Sequence, residues 1–376
     1  MRFAIAIVFI LSAFNITSAC FGDEQSVWIG MSAPTNGQKE GIYRTTLDTK
    51  TGALTAPELA VEIGEPEFLA IHPNGKRLYA ACKLADGKPG VAAYEIGEDK
   101  HSLKLINTEP TGDGGACHLA VDHSGRLLFT AQYGTGTVAV FPLATDGKLL
   151  PRSELVKHEG TGPNKQRQEA PHPHWVGADP SNRFLLVPDL GSDRVVIYEI
   201  DFETGKLVPH GSGNCPPGSG PRHLVFHPNG KFAYVVNELQ ISVTAFEYDK
   251  KAGTLKPIQT VESLPEDLRE NACSGAEICI HPEGKSLYAS TRGHDSVSAF
   301  RIDPETGKLT FVERESIRGS HPRSVNLDPK GNWLLAAGRD SNTISAFQID
   351  AKTGGLVYGK VVNSPAPICV EFQPVE

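Results

Sequence analysis

The stretch EAPHPHW, residues 169–175, places a proline before His172 and another before His174, and ends on Trp175. Imidazoles exchange protons near neutral pH, so two of them in a proline-stiffened segment point to general acid–base chemistry. Other groups suited to it are scattered along the chain: His118, Arg222 and His223 in GPRHL, Glu277 in GAEICI, Arg323 in SHPRSV, Tyr133 in QYGTG, Asp189 in PDLGSD, Asn237 and Glu238 in VNEL, and Arg292 in TRGHDS. Arginine binds carboxylate and phosphate, and it lowers the pKa of a nearby histidine, keeping it neutral as a general base must be. Arginines, one or two carboxylates and a neutral histidine together suit an anionic substrate undergoing proton transfer. The alternative is that these groups only pair with one another across a solvated funnel. About 200 residues of chain separate the first from the last, so the fold decides whether they meet.

Other chemistries find no signature. Zinc-type Cys and His spacing, a phosphate-binding glycine loop and a GxSxG elbow are all absent from the sequence. No metal site and no cofactor is predicted.

The elements that must position these residues are legible as a repeat. Turns of one type recur at HPNG 72–75, DHSG 122–125, DPSN 179–182, HPNG 227–230, HPEG 281–284 and DPKG 328–331, with starts 50, 57, 48, 54 and 47 residues apart. A short apolar stretch precedes each turn and another follows it, as in HLVF and FAYVV. Pro with Gly or Asn at these offsets reverses the chain between two strands. A third strand follows in each copy (VAAYEI, VAVFPL, VVIYEI, VTAFEY, VSAFRI, ISAFQI), and in most copies a second turn such as DPETGKL leads to a fourth. Four short strands per unit of about 45 residues make a propeller blade. The amino-terminal unit starts at VWIGM and lacks a first strand, while the carboxyl end supplies one in PICVEFQP. The prediction is therefore an all-β fold, a seven-bladed β-propeller of four-stranded antiparallel blades spanning residues 26–376 and closed by pairing the last strand with the first blade. Closure removes an open sheet edge.

In such a fold the first strand of each blade lines the central channel. If those strands run from top to bottom, the HPNG-type turns lie at the bottom, and His72, His227 and His281 are turn-capping residues. His118, His172, His174 and His223 precede or begin first strands, so they gather at the channel mouth with Arg222, Glu277 and Arg323. Tyr133, Asp189, Asn237, Glu238 and Arg292 leave second strands at the same face. Two long segments, 157–170 and 262–276, are expected to cross that face as candidate lids or specificity elements.

The first residues, MRFAIAIVFILSAFNITSAC, have one early arginine, an apolar run and small residues before Cys20, which is the layout of a secretory signal peptide over 1–19. The chain is expected to be exported, periplasmic or secreted. Cleavage there would leave Cys20 first, the position of a lipid anchor in lipoproteins, although Thr17 stands where those leaders carry leucine. A net charge of −8 argues against nucleic acid and anionic membrane as partners. Six cysteines follow Cys20 at irregular spacing, and their pairing is not readable from sequence.

QEAPHPHWVGADPSNRFLLVPDLGSDRV, PPGSGPRHLVFHPNGKFAYVVNEL, AEICIHPEGKSLYASTRGHDSVSAF and HPRSVNLDPKGNWLLAAGRDSN together resemble the lactonase family of seven-bladed propellers. That family holds bacterial 6-phosphogluconolactonases and, as relatives, fungal carboxy-cis,cis-muconate cyclases. The resemblance covers the whole mature chain and implies metal-independent opening or closing of a lactone ring near the channel mouth. It implies four catalytic positions: His174 from PHPH, Arg222 from GPRH, Glu238 from NEL and Arg292 from the family's NRG, written TRG here. In this reading His174 activates water, Arg222 and Arg292 hold the anionic group or the developing oxyanion, and Glu238 orients a partner or relays the proton. His172, His118, Tyr133, Glu277 and Arg323 are expected to bind substrate around them. The small-molecule partner is a sugar lactone. Phosphorylated gluconolactone is a cytoplasmic metabolite, so an exported chain leaves an unphosphorylated lactone open as substrate. Two other readings stay open, an exported binding or scaffolding propeller and a lactonising cycloisomerase acting on an unsaturated dicarboxylate.

Overall fold

The computed structural model describes residues 24–32, 37–269 and 272–374. The expected signal peptide over residues 1–19 and Cys20 lie outside the described residues.

Seven sheets of four antiparallel strands follow one another around a central axis. Blade one consists of Pro367–Phe372, Glu24–Met31, Gly41–Asp48 and Glu58–Glu62, so the carboxyl-terminal strand is its innermost. This closure is paired from Val27↔Phe372 to Met31↔Pro367. Trp28 Nε1 also donates to Gln373 Oε1 at 2.9 Å, and Trp333 Nε1 of blade seven donates to the Thr49 carbonyl of blade one at 2.8 Å. The first strands of the other blades are Gly64–Ile71, His118–Val121, Gly177–Ala178, Pro221–Phe226, Ser274–Ile280 and Pro322–Leu327. The predicted architecture is the observed one.

Alternating apolar residues on the middle strands explain the packing. Each gap between adjacent blades encloses its own core cluster. One holds Phe184, Leu186, Leu224, Val235 and Phe246 between blades four and five. A repeated polar tie accompanies these cores: Tyr79, Tyr234 and Tyr288 on second strands donate through their hydroxyls to the carbonyls of Gly147, Gly307 and Gly354 in the next blade, at 2.9, 3.0 and 2.9 Å. A buried tyrosine hydroxyl usually finds such a partner.

The bottom-turn histidines cap their turns and also join blades. Nδ1 of His72, His227 and His281 accepts the backbone N–H two residues on, at 3.1 Å in each case. The opposite nitrogen then carries the proton and donates to Gly125, Gly284 and Gly331 of the following blade, at 3.1, 3.0 and 3.1 Å. Those glycines are needed twice over. Their φ values are 73, 72 and 72°, a region costly for other residues, and a Cβ would meet the histidine ring at 2.3 to 2.5 Å. Where aspartate replaces histidine, Asp122 and Asp179 accept the N–H groups of Ser124 and Leu127, and of Ser181 and Phe184.

Candidate active site

The first strands supply the site because they are irregular at their upper ends. Register shifts fall between Gly64 and Phe68, Pro221 and His223, Gly275 and Ile278, and Pro322 and Ser324. The residues set out of register include Glu67, Arg222, Glu277 and Arg323. A bulge re-aims the side chain it displaces and is over-represented beside active sites.

Blade four departs further. Pro171 and Pro173 have no N–H to donate, and only Gly177–Ala178 pairs as its first strand. The PHPH segment is held instead by a bridge from Pro173 to Asp189 and by the His174 N–H, which donates to the Pro188 carbonyl at 3.0 Å. Asp189, fully buried, accepts the His172 N–H at 2.8 Å and the Gly191 N–H at 3.0 Å, and its other oxygen lies 2.7 Å from His158 Nδ1. Asn237 likewise serves structure, donating to Ser242 and Thr244. These two top-face residues hold backbone and strand ends in place.

Glu238 is the centre of the charged group. Its Oε2 lies 3.2 Å from Arg222 Nε and 2.9 Å from Arg292 Nη2, while Oε1 accepts from Arg167 Nη2 at 2.6 Å. Burial, the largest influence, raises its pKa, but Arg292, Arg222 and His174 outweigh it and hold the carboxyl well below the usual range. Arg222 and Arg292 are buried, their backbone-facing nitrogens donating to the carbonyls of Ala276 at 2.5 Å and Gly275 at 2.6 Å. Nε of each has no hydrogen-bond partner among the described residues. Arg323, half-buried, forms no salt bridge among the described residues, although its charge acts on Glu67, Glu277 and the neighbouring imidazoles.

His174 stands beside this cluster. Its ring centroid is 5.2 Å from that of His223 and 5.5 Å from that of Tyr133. Burial, then Arg222 and His223, press its pKa well below 6.5, so it is neutral and able to accept a proton. Cys117 Sγ lies 3.8 Å from His174 Nδ1, but burial pushes that thiol up to about 11, which removes it as a nucleophile. The structure thus brings His174, Arg222, Glu238 and Arg292 together.

The other predicted site residues take different places. His172 stacks on Tyr133 at 4.3 Å and 12°, with its Nδ1 2.8 Å from the Tyr133 carbonyl. His118 lies deeper, against Phe68 at 4.2 Å and Trp175 at 5.4 Å, on a channel cavity of about 460 Å³ shared with Glu277, Asn326 and Glu371. Glu277 Oε1 is 2.6 Å from His223 Nδ1, and burial lifts its carboxyl to about 7 against the pull of Arg222.

Arg167 escaped the sequence reading, which marked the 157–170 segment only as a candidate lid. It reaches Glu238 and also Tyr133, whose hydroxyl it meets at 3.3 Å. Its backbone is fixed next door: Gln168, fully buried, donates to the Leu190 carbonyl at 2.8 Å and to Asp193 at 2.7 Å. An arginine beside a glutamine in an irregular segment carries no periodic signal that would have singled it out.

Comparison with known proteins gives the family. The profile of the family described as lactonase, 7-bladed beta-propeller, matches residues 27–372. The 6-phosphogluconolactonase of Bacillus subtilis is 38% identical over 339 residues, covering 90% of this chain and 96% of its own. That of Formosa agariphila is 34% identical, covering 77% and 82%. Among solved structures, a periplasmic gluconolactonase of Pseudomonas aeruginosa superimposes with a TM-score of 0.87 at 28% identity, covering 94% of this chain and all of that one. The chain belongs to the lactonase family of seven-bladed β-propellers.

Proposed function

We propose that this protein is a metal-independent hydrolase that opens a sugar lactone carrying an anionic group. The observation that carries the reading is the enclosure of one ionised carboxylate, Glu238, by Arg167, Arg222 and Arg292 beside a neutral His174. With Arg323 also unpaired nearby, positive charge is in excess where a substrate anion would enter. The names of the relatives support the reaction class.

In the proposed reaction His174 takes a proton from water as the oxygen attacks the lactone carbonyl. The guanidinium groups of Arg222 and Arg292 face the charge that develops, in a buried setting where fixed cations act most strongly. Glu238 keeps those guanidinium groups in place. Its nearest partners are arginines, so orienting them suits it better than relaying a proton. Arg167, Tyr133 and His172 form the outer wall, with Arg323 opposite. Export is part of the proposal, on the leader over residues 1–19 and the periplasmic description of the Pseudomonas relative.

The test is hydrolysis of 6-phosphogluconolactone and of gluconolactone by the purified mature chain, with and without chelator. His174→Ala should lower turnover by about 10² or more while thermal stability is retained, and chelator should change nothing. Equal turnover of the two lactones would remove the anion from the proposal. Wild-type turnover no faster than spontaneous hydrolysis would remove the lactonase reading.

A further inference from the structure

Opening a lactone needs two proton movements. Water must lose a proton as it attacks, and the ring oxygen must gain one as the C–O bond breaks. His174 serves the first, and its imidazolium is one source for the second. A separate neutral acid beside it would supply that proton without routing both through one ring. The arginines are poor donors of a proton they do not give up, and Glu238 is held ionised.

One buried pair has the chemistry of such an acid. His223 is the neighbour of Arg222 on the bulged strand Pro221–Phe226 and is only 2% exposed. Its Nδ1 lies 2.6 Å from Glu277 Oε1, from the next blade. Its Nε2 is buried with no hydrogen-bond partner among the described residues, a costly arrangement unless another molecule supplies the partner. The ring is packed edge-on to His118 at 5.3 Å and tilted against His174 at 5.2 Å. Glu277 is itself braced: its N–H donates to Ser290 Oγ at 3.0 Å, whose hydroxyl donates to the Pro322 carbonyl at 2.9 Å. His72, His227 and His281 have both nitrogens satisfied, whereas His158 and His321 share the unpartnered buried Nε2. What sets His223 apart is that its ring lies against His174 and follows Arg222 in the chain.

From this arrangement we infer that His223 is a second catalytic residue, the general acid that protonates the departing ring oxygen, with Glu277 resupplying its proton. This rests on the lactonase reading above. The step at His223 balances without a charged imidazole there, and the proton that His174 took from water leaves to solvent after the ring has opened. Neutral His223 donates the Nε2 proton to the ring oxygen as the acyl C–O bond breaks, and the Glu277 carboxyl passes its own proton to Nδ1. The products are the opened chain with its new hydroxyl and carboxyl groups, the other tautomer of neutral His223, and a Glu277 carboxylate. Once product has left, Nδ1 returns its proton to Glu277 and Nε2 takes one from solvent, which restores the starting state. A neutral relay fits its surroundings. Arg222, Arg323 and Arg292 all act on His223 and, with burial as the leading cause, hold its pKa well below 6.5. An imidazolium there would be strongly disfavoured. Glu277, facing Arg222 and Arg323 on one side and Glu371 and Cys279 on the other, is still lifted to about 7 by burial, so its carboxyl holds a proton at and below neutrality.

The experiment is the pH profile of kcat on the lactone that wild type cleaves best, from pH 5.5 to 8.5 with spontaneous hydrolysis subtracted, for wild type, Glu277→Gln and His223→Gln. Wild-type kcat is expected to fall as pH rises through about 7, because the relay then lacks its proton. Both variants should lose about 10² in kcat with KM changed less than threefold, and the alkaline fall should vanish from the Glu277→Gln profile. A merely structural pair would move stability and KM but leave the profile's shape. Wild-type kcat that stays flat across the range, a Glu277→Gln profile that superimposes on wild type, or variants within threefold of wild type would each overturn the assignment. Should His223→Gln fail to fold, the Glu277→Gln profile alone decides. Absence of wild-type turnover on every lactone tested is a different result, which overturns the hydrolase reading on which this one stands.

Discussion

Arg167 Nη2 donates to Glu238 Oε1 at 2.6 Å, so a loop before blade four completes a carboxylate that Arg222 of blade five and Arg292 of blade six already hold. The three contacts are not equivalent. Arg222 and Arg292 have side chains 2% and 9% exposed, whereas that of Arg167 is 42% exposed. An arginine at the rim can exchange Glu238 for an incoming anion more readily than the buried pair, which keeps its contact with Glu238.

Arg167→Met should therefore raise KM for an anionic lactone by about tenfold, the effect of losing one charge-assisted contact. Thermal stability should change little, because Gln168 and not Arg167 anchors the loop. Steady-state kinetics with a parallel thermal melt check this. An unchanged KM would leave Arg167 as a brace for Glu238 only.

Glu238→Gln should behave differently. It strands two buried guanidinium groups, and removing one partner from a buried ion pair costs about 3–5 kcal/mol. Urea denaturation should show that loss. Adding Arg222→Met to the same chain should recover part of it, since the uncompensated charge is then gone.

Stability should also respond to pH with a definite sign. Burial, with His223 and Arg222, holds the His118 pKa well below 6.5, and burial with Arg222 does the same for His174 and His223. Groups depressed on folding contribute stability that is complete above 6.5 and is lost as pH falls below it. Glu277 acts in the opposite direction: raised to about 7, it contributes below 4.5 and that contribution fades as pH rises through 7. His321, held down to about 4, adds a fourth depressed imidazole, and Glu371, lifted to about 8, and Glu67, also raised by burial, side with Glu277. The four imidazoles outnumber these carboxyls, so the melting temperature should fall between pH 6.5 and 5. His118→Phe, which preserves the ring packing against Phe68 and Trp175, should make the fall shallower. A melting temperature that rises on acidification would mean that the buried carboxyls Glu277, Glu371 and Glu67 dominate.

Asp189→Asn offers a separate check on how PHPH is held. Asp189 carries the His172 N–H, the Gly191 N–H and the His158 contact at once, and it touches none of the proposed reacting groups. Activity should nevertheless drop by about tenfold or more, as expected when a catalytic side chain shifts by about 1 Å. Unchanged kcat would show that the prolines and the His174 N–H bond to the Pro188 carbonyl hold His174 in place without Asp189.

What the sequence determined by itself is everything carried by local chemistry. The HPNG-type turns need glycine or asparagine at a positive φ, and Asn182 takes that role in DPSN with φ of 59°. Alternating apolar strands between such turns define blades, and a missing first strand at one end with a spare one at the other defines the closure. The same pattern sorted His72, His227 and His281 to the bottom and His174, Arg222, Glu238 and Arg292 to the top. The tertiary structure decided what depends on relations between strands. A bulge is a mismatch of register between two partners, so the outward turn of Arg222, Glu277 and Arg323 has no mark in either strand alone. The His223–Glu277 pair joins residues 54 positions apart across a blade boundary, and Arg167 enters the site only because Gln168 is fastened to Asp193. Asp189 and Asn237 stood on the predicted top face with the same claim as Glu238. Their buried hydrogen bonds to backbone and neighbouring hydroxyls, set by a first strand of only two residues in blade four and by the end of the middle strands in blade five, separate the supporting residues from those left facing a substrate.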